Sequence, residues 1–254
     1  MFDARMYGLS HAGIGRYIKN LVNNLNPLIK DEMFILLVNN NELEEIKADL
    51  GKDLNYVIAK SDHYSFYEQL EIPKILTKIK PDLVHFPHFN APLLTPFPFV
   101  VTIHDLIKHY FHGSKSTTKA PWLHWFKYAG YQIQVKYALS KSKLIYVPSR
   151  FWEEKLNKDF NVEKQKIMVT YEAVDPSFIK KTKTNKQTKV LDKYKLKKPF
   201  LVYTGSVYPH KNLHNLLLAL KKIDNLQLAI ACSRDFFVKR MEKLSKKLDI
   251  DNRV

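Results

Sequence analysis

The sequence predicts an α/β protein with a mostly parallel sheet, one complete unit followed by the start of a second. Three observations lead there. Apolar runs of strand length alternate with stretches of helical spacing along the chain, the pattern of strands linked by crossover helices. Residues 200–220, FLVYTGSVYPHKNLHNLLLAL, read as strand, glycine turn, basic loop and helix. Between the two patterned regions lies Lys180 to Lys198, with nine lysines, one acid and interspersed Thr, Asn and Gln, which reads as a solvated linker. The expected division is residues 1–180, a linker over 181–198, and the opening of a second unit over 199–254, with a cleft between the units.

The elements follow in order. A short first strand starts at the chain's beginning, in FDAR. The spacing of Ile18, Leu21, Val22 and Leu25 predicts a helix over Ile14–Leu28, followed by a strand at Phe34–Val38 and a weaker one at Tyr56–Ala59. Helical spacing returns over Phe66–Lys80, with an interruption expected at Pro73, which has no N–H to give. Strands are expected at Leu83–Phe86 and Phe99–Ile103, joined by the proline-rich PHFNAPLLTPFP. A long aromatic helix at Trp122–Leu139 reads as a core helix, with an interfacial face over WLHWFKYAGY (122–131) as the competing reading, and leads to a strand at Leu144–Val147, a helix after Ser149 and a strand at Ile167–Thr170. In the second unit, strands are expected at Phe200–Thr204 and Leu226–Ala231, and Leu213, Leu216, Leu217 and Leu220 share one face of the helix between them.

Composition narrows the function classes. At 254 residues and 45% hydrophobic, the chain can bury a sizeable core. No apolar run approaches the roughly 18 residues of a membrane span, and MFDARMYGLS lacks a signal peptide's basic start and apolar centre, so a cytoplasmic location is expected. The single cysteine, Cys232, excludes an internal disulfide framework and reads as a small apolar residue in LQLAIAC. A formal charge of +16 invites a nucleic-acid partner, but only six of the 41 cations are arginine, the residue whose planar fork clamps phosphates and bases. No nucleic-acid partner is expected. Clustered lysines also suit an anionic membrane surface, so peripheral contact with the inner face of a membrane remains a reading.

Chemistry is to be sought in the loops beyond the carboxyl ends of strands, where open parallel sheets bind ligands. In SHAGIGRY, Gly13 and Gly15 open the backbone to close approach beside a helix start, with Arg16 next to them; a plain glycine turn is the competing reading. A dinucleotide fingerprint would need another small residue where Tyr17 and Ile18 stand. In VVTIHDL an apolar strand ends in His104 and Asp105, a histidine able to face substrate with a carboxylate adjacent, or one that caps the next turn. Five histidines lie between His85 and His112, yet the pairs His85/His88 and His109/His112 have neither a convincing helix nor cysteine or acidic partners, so no metal is expected. No glycine-x-serine-x-glycine elbow occurs. In TGSVYPHKN, Gly205 and Ser206 form the turn, Lys211 supplies a cation and Asn212 can cap the helix, whose free N–H groups suit a phosphate.

GIGRY, DLVHFPHFNAPL, VVTIHDL, KLIYVPSRFWEEKL, KIMVTYEAVDPSF and VYTGSVYPHKNLHNLLLAL follow one another in an order that resembles the family 4 glycosyltransferases, especially their mannosyltransferase-like members, which have the two-Rossmann-domain fold called GT-B. The resemblance covers nearly all of the first unit and the start of the second. It implies a hexose such as mannose moved, with retention of configuration and no catalytic metal or other cofactor, from a GDP- or UDP-sugar to a glycan or lipid-linked acceptor. By the same resemblance, Gly13 and Gly15 match the loop facing donor phosphate and acceptor, His104 the histidine near the transferred sugar, and Lys211 the lysine on the diphosphate.

Departures from the family pattern are also legible. Ser206 stands where many relatives carry an arginine, and His210 precedes the lysine where an arginine is common. The family's later pair of glutamates on the donor has no counterpart before Val254, so the sequence reads as truncated in its donor unit. The rival expectations are a non-catalytic fragment that binds glycan or membrane and, more distantly, a nucleotide-sugar epimerase.

Overall fold

A computed structural model describes residues 1–51, 53–111, 121–175, 178–179, 184–232 and 235–254. The chain forms two compact units, Met1–Tyr110 with Trp122–Asp175 and Phe111–Pro121 with Pro176–Val254.

The first unit is built on a seven-stranded sheet. In chain order its elements are β1 (Phe2–Asp3), α1 (Ala12–Leu25), β2 (Ile35–Val38), α2 (Asn40–Leu50), β3 (Asn55–Ile58), α3 (Glu68–Ile79), β4 (Val84–Phe86), β5 (Phe99–Thr102), α4 (Ile107–Tyr110), α5 (Pro121–Lys141), β6 (Ile145–Val147), α6 (Arg150–Phe160) and β7 (Ile167–Val169). Every strand pairing is parallel and the order is β3-β2-β1-β4-β5-β6-β7, so the winding reverses between β1 and β4. The expected α/β class and parallel sheet stand. Buried strand residues such as Leu37, Val84, Val101 and Ile145 join Ile72 and Leu76 of α3 and Val135, Ala138 and Leu139 of α5 in the larger core. Phe2, Leu36 and Val38 pack against Ile18 and Val22 of α1 in a second.

Several local expectations are revised. Pro73 lies inside α3 without interrupting it, because Ile72 and Leu76 are fully buried and their packing outweighs one missing backbone hydrogen bond. α2 is an element the apolar spacing did not announce: NNELEEIKADL buries only Glu42, Leu43 and Ile46. α5 is a core helix only in its second half. Trp125 and Phe126 are 57% and 67% exposed, and Ile133 is exposed as well, so the helix is apolar on two faces.

The second unit contains α7 (Thr184–Lys193), β8 (Phe200–Thr204), α8 (Leu213–Lys221), β9 (Gln227–Ala231) and α9 (Asp235–Lys247). Helix α7 lies within the lysine-rich stretch. β8 and β9 pair in parallel from Phe200↔Gln227 to Thr204↔Ala231. Leu217 and Leu220 are buried against Leu228 and Ile250, with Leu216 packed alongside, while Leu213 is buried with Val207 and Phe237.

The glycines of α1 differ in what they do. A Cβ on Gly15 would lie 1.9 Å from the Gly8 carbonyl oxygen and 2.8 Å from that of Met6, whereas Gly13 has open space around it. Gly15 therefore seats the helix on its own preceding loop. We expect Gly15→Ala to cost about 2 kcal/mol or more through overpacking, and Gly13→Ala to be neutral or stabilising by up to about 1 kcal/mol in a helix. Urea unfolding of the two variants checks this; equal shifts would reject the packing role.

Candidate functional site

The carboxyl ends of β1, β4 and β5 converge where the strand order reverses, and the polar side chains there form a connected set. Arg5, fully buried, donates from Nε and Nη2 to the two oxygens of Asp3 at 2.9 and 2.7 Å, and from Nη2 to Glu68 Oε1 at 2.7 Å. Asn90, in the loop after β4, donates to both Glu68 oxygens at 2.9 Å, and Tyr64 N donates to Glu68 Oε2 at 2.8 Å. Burial pushes the pKa of Asp3 up, but the Arg5 charge and hydrogen bonds outweigh it and hold Asp3 below the ordinary carboxylate range. Burial pushes Glu68 up against the pull of Arg5 and Asn90, and because donors face both its oxygens, the ionised form fits the geometry. His63, Asp3, Asn90 and His88 line a cavity of about 10 Å³ beside this cluster, room for about one water.

His104 follows β5 and is gripped from both sides. Its Nε2 lies 3.0 Å from the Pro87 carbonyl oxygen and its Nδ1 lies 3.3 Å from Glu172 Oε1, in the loop after β7. Both partners are acceptors, so a single ring proton satisfies only one of them. The edge of Tyr17 meets the ring, with centroids 4.6 Å apart. Tyr17 Oη lies 3.3 Å from Thr102 Oγ1, which is also 2.8 Å from His85 Nε2. α1 and the end of β5 are thereby tied together, with Gly13 exposed, Gly15 buried and Arg16 exposed on the helix's first turns.

Asp105 engages the backbone that follows it. Its Oδ1 accepts from Ile107 N at 3.1 Å and starts the short helix α4. The carboxylate at His104 is Glu172, and sequence reading passed over both it and Tyr17, although both lie in quoted motifs. The signal available was position: Glu172 follows a parallel strand at its carboxyl end. His85 and His88 are each committed to a hydroxyl, Thr102 and Tyr64 respectively, and His112 lies outside the described residues. Among the described residues no three His, Cys, Asp or Glu side chains come together as metal ligands.

In the second unit, Gly205 follows β8 with φ 130°, a backbone conformation that other residues rarely adopt, and its N–H donates to Ala231 O at 3.1 Å. Tyr203 Oη donates to the Ser206 carbonyl at 2.7 Å and fixes the turn. Pro209, His210 and Lys211 form a 3₁₀ turn, with Lys211 exposed and the His210 ring stacked on Tyr208 at 5.7 Å. Asn212 is at the cap position of α8, but in the left-handed conformation with φ 60°, and its side chain makes no cap hydrogen bond. The expected side-chain cap is therefore absent; the left-handed turn carries the chain from the 3₁₀ turn into α8. One loop thus brings Gly205, Ser206, Lys211 and Asn212 together at the carboxyl end of β8, beside the unpaired N–H groups of a helix start.

A sequence profile of Glycosyltransferase Family 4 matches residues 11–178. The chain belongs to this family. It is 25% identical over 175 residues, 68% of this chain and 42% of the relative, to the O-antigen chain mannosyltransferase RfbU of Salmonella typhimurium. Two solved structures share the fold. The glycosyltransferase from Rickettsia africae superposes with a TM-score of 0.61 at 18% identity, over 99% of this chain and 65% of that one. Anabaena Alr3699/HepE, in complex with UDP and glucose, superposes with a TM-score of 0.68 at 15% identity, over 100% of this chain and 67% of that one. The α/β architecture with its seven-stranded parallel sheet matches the GT-B glycosyltransferases. The chain spans well under half the length of the curated relative and about two thirds of these solved chains.

Burial holds His63 and His85 at about 4 and His88 at about 3, against an ordinary value of 6.5. The unfolded chain therefore binds more protons below pH 6.5, so stability is full above that value and falls as pH drops toward 4. We expect a loss of at least about 2 kcal/mol between pH 7 and pH 5. Thermal melts across this range test it, and a flat profile would reject neutral burial of the three rings.

Proposed function

We propose that the chain contributes to a retaining hexosyltransferase, with the first unit holding the acceptor and the second holding the diphosphate of a nucleoside-diphosphate sugar. The observation that carries the donor half is the strand–glycine–lysine–helix arrangement at 200–221, which presents an exposed ammonium at a helix start. The chemistry follows from charge. When the bond between the anomeric carbon and the phosphate oxygen breaks, its electron pair leaves with the diphosphate. Lys211 and the N–H groups opening α8 stabilise that charge. The acceptor hydroxyl forms the new bond at the anomeric carbon and its proton goes to the leaving phosphate. The sugar carries positive character in between, and His104 and the Pro87 carbonyl are the polar groups of the first unit assigned to it.

Support for the donor class comes from HepE, solved with UDP and glucose, and support for mannose from RfbU, a mannosyltransferase. The proposed donors are accordingly UDP- or GDP-sugars, and the acceptor a glycan or lipid-linked glycan. The proposed donor contacts are those of residues 204–212. Incubation with labelled UDP- and GDP-sugars plus acceptor distinguishes transfer from mere binding, and proton NMR of the product reads the anomer. An isomerised free donor without acceptor would identify an epimerase instead.

Lys211→Ala should weaken UDP or GDP binding by about 10- to 100-fold, the worth of a hydrogen bond to a charged group. His104→Ala should change it less than about threefold, a few tenths of a kcal/mol. Calorimetric titration checks both, and equal losses would show that the roles are misassigned.

No helix of the described residues is long and apolar enough to cross a membrane. Peripheral contact at a cytoplasmic membrane face is proposed for the outward stripe of α5, where exposed Trp125, Phe126 and Ile133 lie on a helix that also exposes Lys127 and Lys136. Co-sedimentation with phosphatidylglycerol vesicles should fall when Trp125 and Phe126 are changed to Ser. Unchanged sedimentation would remove α5 as the contact.

A further inference from the structure

A second group of side chains stands at the carboxyl end of the first unit's sheet, outside the residues assigned above. Lys108, in α4, is exposed, and its Nζ lies 5.8 Å from the ring centroid of Tyr64 and 5.9 Å from that of Tyr131. Those distances are within the range of a cation held by π faces. Among the described residues, Lys108 has neither an ion-pair partner nor a hydrogen bond from Nζ; the nearby Asp105 carboxylate is engaged by Ile107 N. Desolvation by the side chains around it lowers the pKa of Lys108, with Asp105 acting in the opposite direction. An incoming anion would give this ammonium the close, hydrogen-bonded pair that Asp105, which acts on it only through space, does not form.

The rings around it are organised rather than scattered. Tyr64 is 56% exposed, and its backbone is in the left-handed region at φ 64°, where a bulky residue is strained. Two contacts hold it there: its N–H on Glu68 and its hydroxyl 3.1 Å from His88 Nδ1. Behind, Tyr131 meets Phe89 edge-on at 5.2 Å and stacks on Tyr128 at 5.9 Å. The result is an exposed, fixed aromatic face beside a cation with no ion pair among the described residues.

We propose that Lys108 and Tyr64 form a subsite for a phosphorylated sugar, the ammonium meeting the phosphate ester and the tyrosine face lying against the C–H face of the sugar ring. This deepens the reading that the first unit takes the acceptor, and it assigns the acceptor an anionic group near the bond being made.

The test uses the full chain carrying Lys211→Ala, so that the 204–212 loop does not compete, and titrates glucose 1-phosphate, methyl α-glucoside and inorganic phosphate. We expect glucose 1-phosphate to bind more tightly than either of the others, Lys108→Met to weaken it tenfold or more, and Tyr64→Leu to weaken it several-fold with methyl α-glucoside affected equally. Unchanged affinity on Lys108→Met overturns the proposal, as does inorganic phosphate binding as tightly as the ester. Lys108→Gln is the second variant; unfolding of both would make Lys108 structural and also overturn it. Phosphatidylglycerol vesicles give the remaining arm: vesicle binding lost on Lys108→Met without any glucose 1-phosphate binding would assign the lysine to a lipid headgroup and reject the sugar subsite. UDP titration of the chain without substitutions keeps the two readings apart. No UDP binding with Lys108-dependent glucose 1-phosphate binding sinks the donor assignment alone, and the converse sinks the subsite alone.

Discussion

The first unit depends on one buried guanidinium. Arg5 has no exposed surface, and it joins Asp3 at the end of β1 to Glu68 at the start of α3, which Asn90 in turn ties to the loop after β4. Removing one member of such a cluster leaves an uncompensated buried charge, at a cost of about 3–5 kcal/mol. The location explains why the expense is tolerated. β1 is only two residues long, yet it is an interior strand beside which the winding reverses, so its few ladder hydrogen bonds need reinforcement from side chains. The same bonds set the positions of the loops that follow β1, β3 and β4, and these loops form the floor on which ligands of a parallel sheet are expected to rest.

On that floor the exposed groups are held by partners that cannot move independently. Glu68, already fixed by Arg5, also holds the strained backbone of Tyr64; Tyr64 shares its hydroxyl with His88; and Pro87, one residue earlier, accepts at His104. Two surfaces assigned to substrate, the His104 edge and the Tyr64 face, thus share one rigid support. Preorganisation of this kind lowers the ordering cost that binding would otherwise incur.

Elements and site residues differ in how far the sequence alone reveals them, for physical reasons. Strands β2, β5 and β6 are visible because a strand covered on both faces must be continuously apolar. α1 is visible because it presents one apolar stripe. α2 is hidden because an acidic helix that buries only Glu42, Leu43 and Ile46 has almost no period to detect. α5 misleads for the opposite reason: an aromatic-rich helix looks like core, and only the structure shows which of its faces lies outward. Gly205 and Lys211 are legible because a glycine and a cation between a strand and a helix form a local pattern. The Arg5–Glu68 pair is not, since nothing local couples residues 63 positions apart.

The histidine at the end of β5 shows why adjacency in sequence is a poor guide to chemical partnership. Asp105 Oδ1 is spent on the N–H of Ile107 at the start of α4, and the carboxylate hydrogen-bonded to His104 is not that of its sequence neighbour. A carboxylate for His104 has to arrive from another strand end. Glu172 does so from the loop after β7, two strands away in the sheet order. With Glu172 at Nδ1 and the Pro87 carbonyl at Nε2, a sugar hydroxyl approaching His104 must either displace one of these acceptors or bind beside them. Glu172, in a loop and more than half exposed, is the partner that can yield at small cost, whereas the Pro87 carbonyl belongs to the supported floor. If His104 meets the sugar as proposed, Nδ1 is therefore the side on which a ligand would exchange with a protein partner, Glu172.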